Sequence, residues 1–374
     1  MGNNLNLKIT ILISDQMKHF LFLFISISLF SCKTVIEPDL PEVLFDKYKG
    51  SVVLISNQYF YEVTIDGHKY YYSPGSEGKI FTAEEDVLNN LSYSTGTGFI
   101  ISKNGEIITN NHVVNPTAEN YLNEFVKYIN GEKMICAENI RGYNDGMENI
   151  KNTYIQYSDY LEVYQKDSLQ GEYDKNFTLK RQWLDYYNSI SNYDLNNSSS
   201  KLIVYKLGIA FNSTSVNNLE DLQECTVVKL SENEKVDLAL IQTKSNTFDS
   251  EIGNIFNFID NNPNVIDNPD EFIERDITNP VKVNDDVFMI GYNYGFILAN
   301  TEQGIKPQFT SGKISQECDG VKILYTIPTL KGSSGSPVVD KWGNLIGVNF
   351  AGLAETQSFN FAVPVSVLKN FYEQ

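Results

Sequence analysis

Two apolar runs joined by an Asn-Gly pair commit the middle of this chain to antiparallel β-structure. Ser94-Thr95-Gly96-Thr97-Gly98-Phe99-Ile100-Ile101 leads into Asn104-Gly105, and Glu106-Ile107-Ile108-Thr109 follows. Asn and Gly both tolerate the positive φ that a tight hairpin turn demands. Similar signals recur. Val52-Val53-Leu54-Ile55 reads as a buried strand, and residues 59–65, the Asp66-Gly67 turn and residues 68–72 read as a second hairpin. Strands resume at 202–211, 226–230 and 238–243, and short strands run from Val281 to Pro364, ahead of a terminal helix over 365–372. Many short strands with no alternating βαβ rhythm predict an all-β core. There is no internal repeat.

Two stretches break the β pattern. Met147, Ile150, Tyr154, Tyr157, Leu161 and Tyr164 recur at the spacing of one helix face, as do Leu179, Trp183, Tyr187 and Ile190, with Gly171 between the two stripes. This predicts a helical hairpin inserted within about 116–200, its Tyr-rich stripe serving as core against itself or the β-structure. Residues 244–280 are rich in Asn, Asp and Pro and read as a second, loop-like insertion.

The chain has 374 residues, 42% of them apolar, enough to bury one or two cores. Its net charge of −18 repels phosphate backbones, so no nucleic-acid partner is expected and the acidity reads as solubility. The N-terminus reads as an export signal over residues 1–31, with Met17 as an alternative start. Met17-Lys18-His19 is a short basic opening, and the apolar run over 20–30 is shorter than the roughly 20 residues a bilayer span needs. Leu29-Phe30-Ser31-Cys32 resembles a bacterial lipobox, which implies a lipidated Cys32, a membrane anchor and an envelope location; an ordinary secretory signal is the alternative. Residues 32–46, with Pro38 and Pro41, read as a tether. Cys136, Cys225 and Cys318 remain, and the sequence leaves open one disulfide in any of three pairings or none. No Cys/His spacing suggests a metal, and no cofactor is expected.

The chemistry centres on Lys331-Gly332-Ser333-Ser334-Gly335-Ser336-Pro337-Val338-Val339. A nucleophilic serine needs an exposed hydroxyl beside backbone N–H groups that can hold an oxyanion, and flanking glycines permit such a turn. A Ser/Gly-rich β-turn with no chemistry fits these residues equally well. The serine also needs a base. Outside the export signal only His68 and His112 occur; His68 sits at a polar turn beside Lys69, whereas His112 closes a Gly-rich strand pair in Thr109-Asn110-Asn111-His112-Val113-Val114. Asp237, between Val236 and Leu238-Ala239-Leu240-Ile241, is a carboxylate at the mouth of a buried strand, which is costly unless paired. His112, Asp237 and Ser334 are thus candidate general base, orienting acid and nucleophile.

These segments, in this order, resemble the HtrA/Deg branch of the trypsin-like serine proteases. Residues 96–101 with 109–114 are similar to the histidine segment, residues 237–241 to the aspartate segment, 309–315 to a strand ahead of the nucleophile, 332–339 with 343–348 to the serine segment, and 359–364 to the closing strand. The resemblance implies an all-β, chymotrypsin-like double six-stranded β-barrel over 47–374, carrying the helical insertion and a C-terminal helix. It implies a serine endopeptidase acting on protein or peptide substrates, with the N–H groups of Gly332 and Ser334 as the oxyanion hole. It places Pro328, Thr329, Asn349 and Ala351 around the primary substrate pocket. Pro328 stands where trypsin has an acid, so cleavage after Lys or Arg is not expected. Asn349 stands where glutamyl endopeptidases have a His, and a small or apolar residue before the cut is the expectation.

The departures are informative. The stretch between His112 and Asp237 is much longer than the family's, and no PDZ-like module is expected after Pro364. Ser333 rather than Asp precedes the nucleophile, so activation by a freed N-terminus is not expected. A catalytically silent scaffold lipoprotein on this fold is the alternative function. An esterase using the same triad is a third reading, although the serine segment lacks the Gly-x-Ser-x-Gly elbow of the α/β-hydrolases.

Overall fold

The computed structural model describes residues 38–75, 77–256, 258, 281–352 and 359–374, with side chains at 351 and 352 excluded. The export signal, Cys32 and residues 259–280 of the loop insertion lie outside the described residues. Strand β1 (Val52–Ile65) is long, 14 residues, because it serves several neighbours. Residues 52–59 pair with β4 (Ser92–Ile100), residues 53–65 with β6 (Ser198–Phe211), and residues 61–65 with β2 (His68–Ser73). With β5 (Glu106–Thr109), β7 (Gln223–Leu230) and β8 (Ala239–Thr243), the order β1-β4-β5-β8-β7-β6 returns to β1 and closes a six-stranded antiparallel barrel. Strand β2 and the short β3 (Lys79–Phe81) extend the sheet beyond it.

A second closed barrel is built from β9 (Asp286–Gly291), β12 (Gln308–Gln316), β13 (Ile323–Tyr325), β14 (Pro337–Asp340), β15 (Leu345–Gly352) and β16 (Asn360–Pro364). A minimal ribbon, β10 (Asn300–Thr301) with β11 (Gly304–Ile305), decorates it. Two six-stranded antiparallel barrels with added helices constitute a chymotrypsin-like fold, as the sequence implies. One apolar cluster draws on both, with Leu54, Phe99 and Ile108 from the first barrel and Ile290, Val339 and Val348 from the second. Each such side chain, fully buried, contributes about 1.5–3 kcal/mol. Helix α1 (Pro41–Tyr48) buries Leu44 and Tyr48 in the same cluster, so the folded body begins within the stretch read as tether. The last helix, α4 (Val365–Glu373), adds Leu368 and Phe371.

The insertion between β5 and β6 forms helices α2 (Tyr121–Tyr157) and α3 (Val163–Ser191). Their break falls at residues 158–162 rather than at Gly171, which lies inside α3. The reason is local: Glu162 caps α3, its backbone N–H donating to Gln165 Oε1 at 2.9 Å in a reciprocal capping box, whereas a mid-helix Gly costs only about 1 kcal/mol. The stripe read as core is also corrected at its far end. Phe125, Ile129, Cys136 and Ile190 pack against Tyr61, Val63, Tyr70 and Tyr72 of β1 and β2, so the base of the helical arm is anchored. Tyr154, Tyr157 and Tyr164 lie beyond that support and are exposed.

Cys136, Cys225 and Cys318 belong to three separate clusters, and each is a free thiol. Burial pushes the Cys225 thiol up to about 12 and raises that of Cys136 as well. Thiolate is the reactive form, so iodoacetamide at pH 8 is expected to alkylate Cys318 in the folded protein and to spare Cys225 and Cys136 until denaturant is added, as read by peptide mass mapping.

Candidate active site

His112 sits in a single helical turn, Asn111–Val114, at the end of β5. Buried Asn57 of β1 fastens that turn, its Nδ2 donating to the carbonyls of Val113 (3.1 Å) and Val114 (3.2 Å), and Ser94 Oγ donates to the Val113 carbonyl at 2.7 Å. Asp237 lies just before β8, which pairs with β5 through Thr109 and Ala239. Asn110 Nδ2 donates to the Asp237 carbonyl at 2.6 Å and holds the two strand ends together.

The carboxylate of Asp237 is gripped twice. Its Oδ1 accepts the backbone N–H of His112 at 3.0 Å, and its Oδ2 lies 2.6 Å from His112 Nδ1. An ionised carboxylate only accepts hydrogen bonds, so a neutral imidazole bound to it carries its proton on Nδ1 and presents a lone pair at Nε2. The imidazole is half exposed, so Nε2 is open to a reactant, while Asp237 is more sheltered.

The serine loop connects β13 to β14 and lies against the first barrel. Thr97 N–H donates to the Ser334 carbonyl at 2.8 Å, and Thr97 Oγ1 donates to the Gly332 carbonyl at 2.8 Å. The backbone conformation and crowding of the loop require both flanking glycines, Gly332 against Tyr292 and Gly295, and Gly335 against the first barrel. Gly332 (φ 92°) and Gly335 (φ 86°) adopt the left-handed region, and a Cβ at 335 would stand 2.1 Å from the Thr97 carbonyl oxygen. Gly96 shows that the histidine and serine segments converge. A Cβ there would meet the Val113 methyls at 2.6 Å and the Ser334 carbonyl oxygen at 3.2 Å. Among the described residues, the N–H groups of Gly332 and Ser334 donate to no protein acceptor, which leaves both available to an oxyanion.

Residues 207–348 match the family described as Trypsin-like peptidase domain. The match covers less than half of the chain and makes that stretch similar to a trypsin-like peptidase domain. The match spans Asp237 and Ser334, and the His112 segment lies before it, on the other side of the helical arm. Among solved structures, the serine endoprotease from Yersinia pestis is similar at 13% identity and a TM-score of 0.42, over 90% of this chain and 67% of that one. No curated protein matches the chain in sequence.

The other candidates are distributed as follows. Pro328 is exposed ahead of the serine loop, and Thr329 is half-buried, its Oγ1 donating to Asn360 Oδ1 at 2.5 Å. Asn349, 2% exposed, is fully engaged with protein groups. Ala351 is paired by its backbone with Phe361. His68 is exposed and meets the Tyr193 ring edge-on, away from these residues.

Sequence reading missed the supporting polar residues Asn57, Thr97 and Asn110. Their signal was polarity inside apolar strands: Ser56-Asn57-Gln58 interrupts a buried run, and all three of those residues are buried. Thr97 joins three segments, since its hydroxyl also accepts Tyr292 N–H (2.9 Å) and its carbonyl accepts Thr109 Oγ1 (2.8 Å). Thr97→Val keeps the shape but strands the Gly332 carbonyl and the Tyr292 N–H. Each such buried group costs about 1–3 kcal/mol, so a clear fall in the denaturation midpoint is expected; an unchanged midpoint would refute this role.

Proposed function

We propose that this protein is a serine endopeptidase that cleaves peptide bonds through an acyl-enzyme. The observation that carries the reading is the double capture of Asp237 by the backbone and ring of His112. An Asp used only for strand-end capping has no need of an imidazole fixed in one tautomer.

His112 Nε2 takes the proton of Ser334 Oγ as the oxygen attacks the substrate carbonyl. Negative charge moves to the carbonyl oxygen, which accepts the N–H groups of Gly332 and Ser334. Asp237 stabilises the imidazolium. The intermediate collapses, the C–N bond breaks, and the proton on Nε2 goes to the leaving amine. Water then adds to the acyl carbon and gives a proton to His112. The Ser334–acyl bond breaks, the carboxylic acid leaves, and the proton returns to Ser334.

A small or apolar residue precedes the cut, because Pro328 and Thr329 offer no charged group to a substrate side chain. The protein works in the bacterial envelope, held by lipid on Cys32. Supporting this are the short apolar run and Leu29-Phe30-Ser31-Cys32. No helix among the described residues is long and apolar enough to cross a membrane.

A fluorophosphonate probe tests the reaction class by labelling Ser334, with casein digestion separating peptidase from esterase. Folded protein that takes up no probe and leaves casein intact would end the proposal. Radiolabelled palmitate retained after Cys32→Ala would end the anchoring claim.

A further inference from the structure

A trans peptide sets its N–H opposite its C=O, so whatever grips a carbonyl also aims the N–H of the next residue. The N–H of Ser334 therefore points away from whatever holds the Ser333 carbonyl. Two donors hold it: the Ser336 N–H at 3.0 Å and, from the side, Asn349 Nδ2 at 2.8 Å. The Asn349 amide is itself oriented. Its Oδ1 accepts the hydroxyl of Tyr325 at 2.6 Å, which turns the NH₂ toward the loop, where it also reaches Ser333 Oγ at 3.2 Å. Tyr325 is fully buried, and burial holds its phenol protonated and thus able to donate. The same asparagine's backbone fixes the loop on either side, accepting Gly335 N–H at 2.8 Å and donating to the Ser336 carbonyl at 2.9 Å.

We propose that Asn349, oriented by Tyr325, is a positioning residue that aims the Ser334 N–H into the oxyanion site, rather than a wall residue that selects the substrate side chain. The inference rests on the serine endopeptidase reading. Asn349 acts through the Ser333–Ser334 peptide and touches no reacting atom. With its side-chain groups taken by Tyr325 and Ser333 and with 2% of its surface exposed, it has little left to offer a substrate.

Asn349→Asp is nearly isosteric but cannot donate to the Ser333 carbonyl. Tyr325→Phe leaves the amide in place and removes the hydroxyl that orients it, along with that hydroxyl's longer contact, 3.3 Å, to the Phe361 carbonyl. Both variants and the parent protein are assayed on a peptide library varied at the residue before the cut, and on matched oxo- and thiono-ester substrates. Thermal unfolding is recorded for each. A misaimed donor lowers kcat by about 100-fold in Asn349→Asp, with KM little changed and the loss uniform across the library. The oxo-to-thiono rate ratio falls with it, because sulfur draws less than oxygen from the N–H donors. Tyr325→Phe shows the same pattern, smaller. The proposal is overturned if the library is reordered while kcat for the best substrate is kept, or if the oxo-to-thiono ratio stays at the parent value. Should Asn349→Asp not fold, Tyr325→Phe decides alone. A parent protein that cleaves none of these substrates would instead sink the endopeptidase reading itself.

Discussion

Ser334→Ala is expected to lower peptide hydrolysis by on the order of 10⁶-fold and to leave the fold unchanged. The size follows from what is lost. Without the oxygen there is no acyl-enzyme, so the remaining N–H donors act only on uncatalysed attack by water. The fold is spared because the loop is held by carbonyl and N–H groups rather than by the serine side chain. Thr97 and Asn349 grip the loop through the Gly332, Ser333 and Ser334 carbonyls. The measurement is cleavage of a fluorogenic peptide by the purified variant, with far-UV circular dichroism alongside. Hydrolysis within tenfold of the parent protein would show that another group attacks the carbonyl.

Asp237→Asn should reduce kcat by about 10⁴-fold, again with the fold retained. The helical turn stays closed because Asn57 and Ser94 hold it, and the amide that replaces the carboxylate still accepts the backbone N–H of His112, now made at 3.0 Å, when its oxygen lies on that side. The ring contact is where the damage falls. If the amide NH₂ faces Nδ1, the imidazole must accept there, which moves its proton to Nε2 and removes the base. If the amide oxygen faces the ring, the tautomer survives, but the imidazolium loses its counter-charge and the NH₂ is set against the His112 backbone N–H, losing that bond. Nitrogen-15 chemical shifts of the His112 ring would separate the two cases, and kcat within tenfold of the parent would reject the assigned role of Asp237.

Much of the scaffold was legible because it is written locally. Asp66-Gly67 and Gly105 turn with positive φ, as their hairpins require, and the strands they join lie where apolar runs predicted them. The candidate site was legible as residue types and surroundings. Its fastenings were not. Asn57 reaches the Val113 carbonyl across 56 positions, and Asn110 reaches the Asp237 carbonyl across 127, so no window of sequence contains both partners. Asn349 could be placed near the site by resemblance, yet the direction of its amide depends on Tyr325 from another strand. The helix break at 158–162 lost to Gly171 because glycine is a louder sequence signal than a Glu-Gln capping pair. The exposed tip of the helical arm was invisible for a related reason: periodicity reports which residues share a face, and only tertiary structure says whether anything covers it.

The sequence distances across the serine loop carry a consequence for timing. The Thr97 hydroxyl finds the Gly332 carbonyl 235 positions later, and His112 meets Asp237 after 125. During synthesis from the N-terminus, the base exists long before its orienting acid, and the acid long before the hydroxyl. The clasp on the Ser333 carbonyl, from Asn349, comes later still. On the proposed mechanism, a ribosome-bound chain that still lacks Asn349 has no clasp on its serine loop, and so does not yet cut itself or its neighbours.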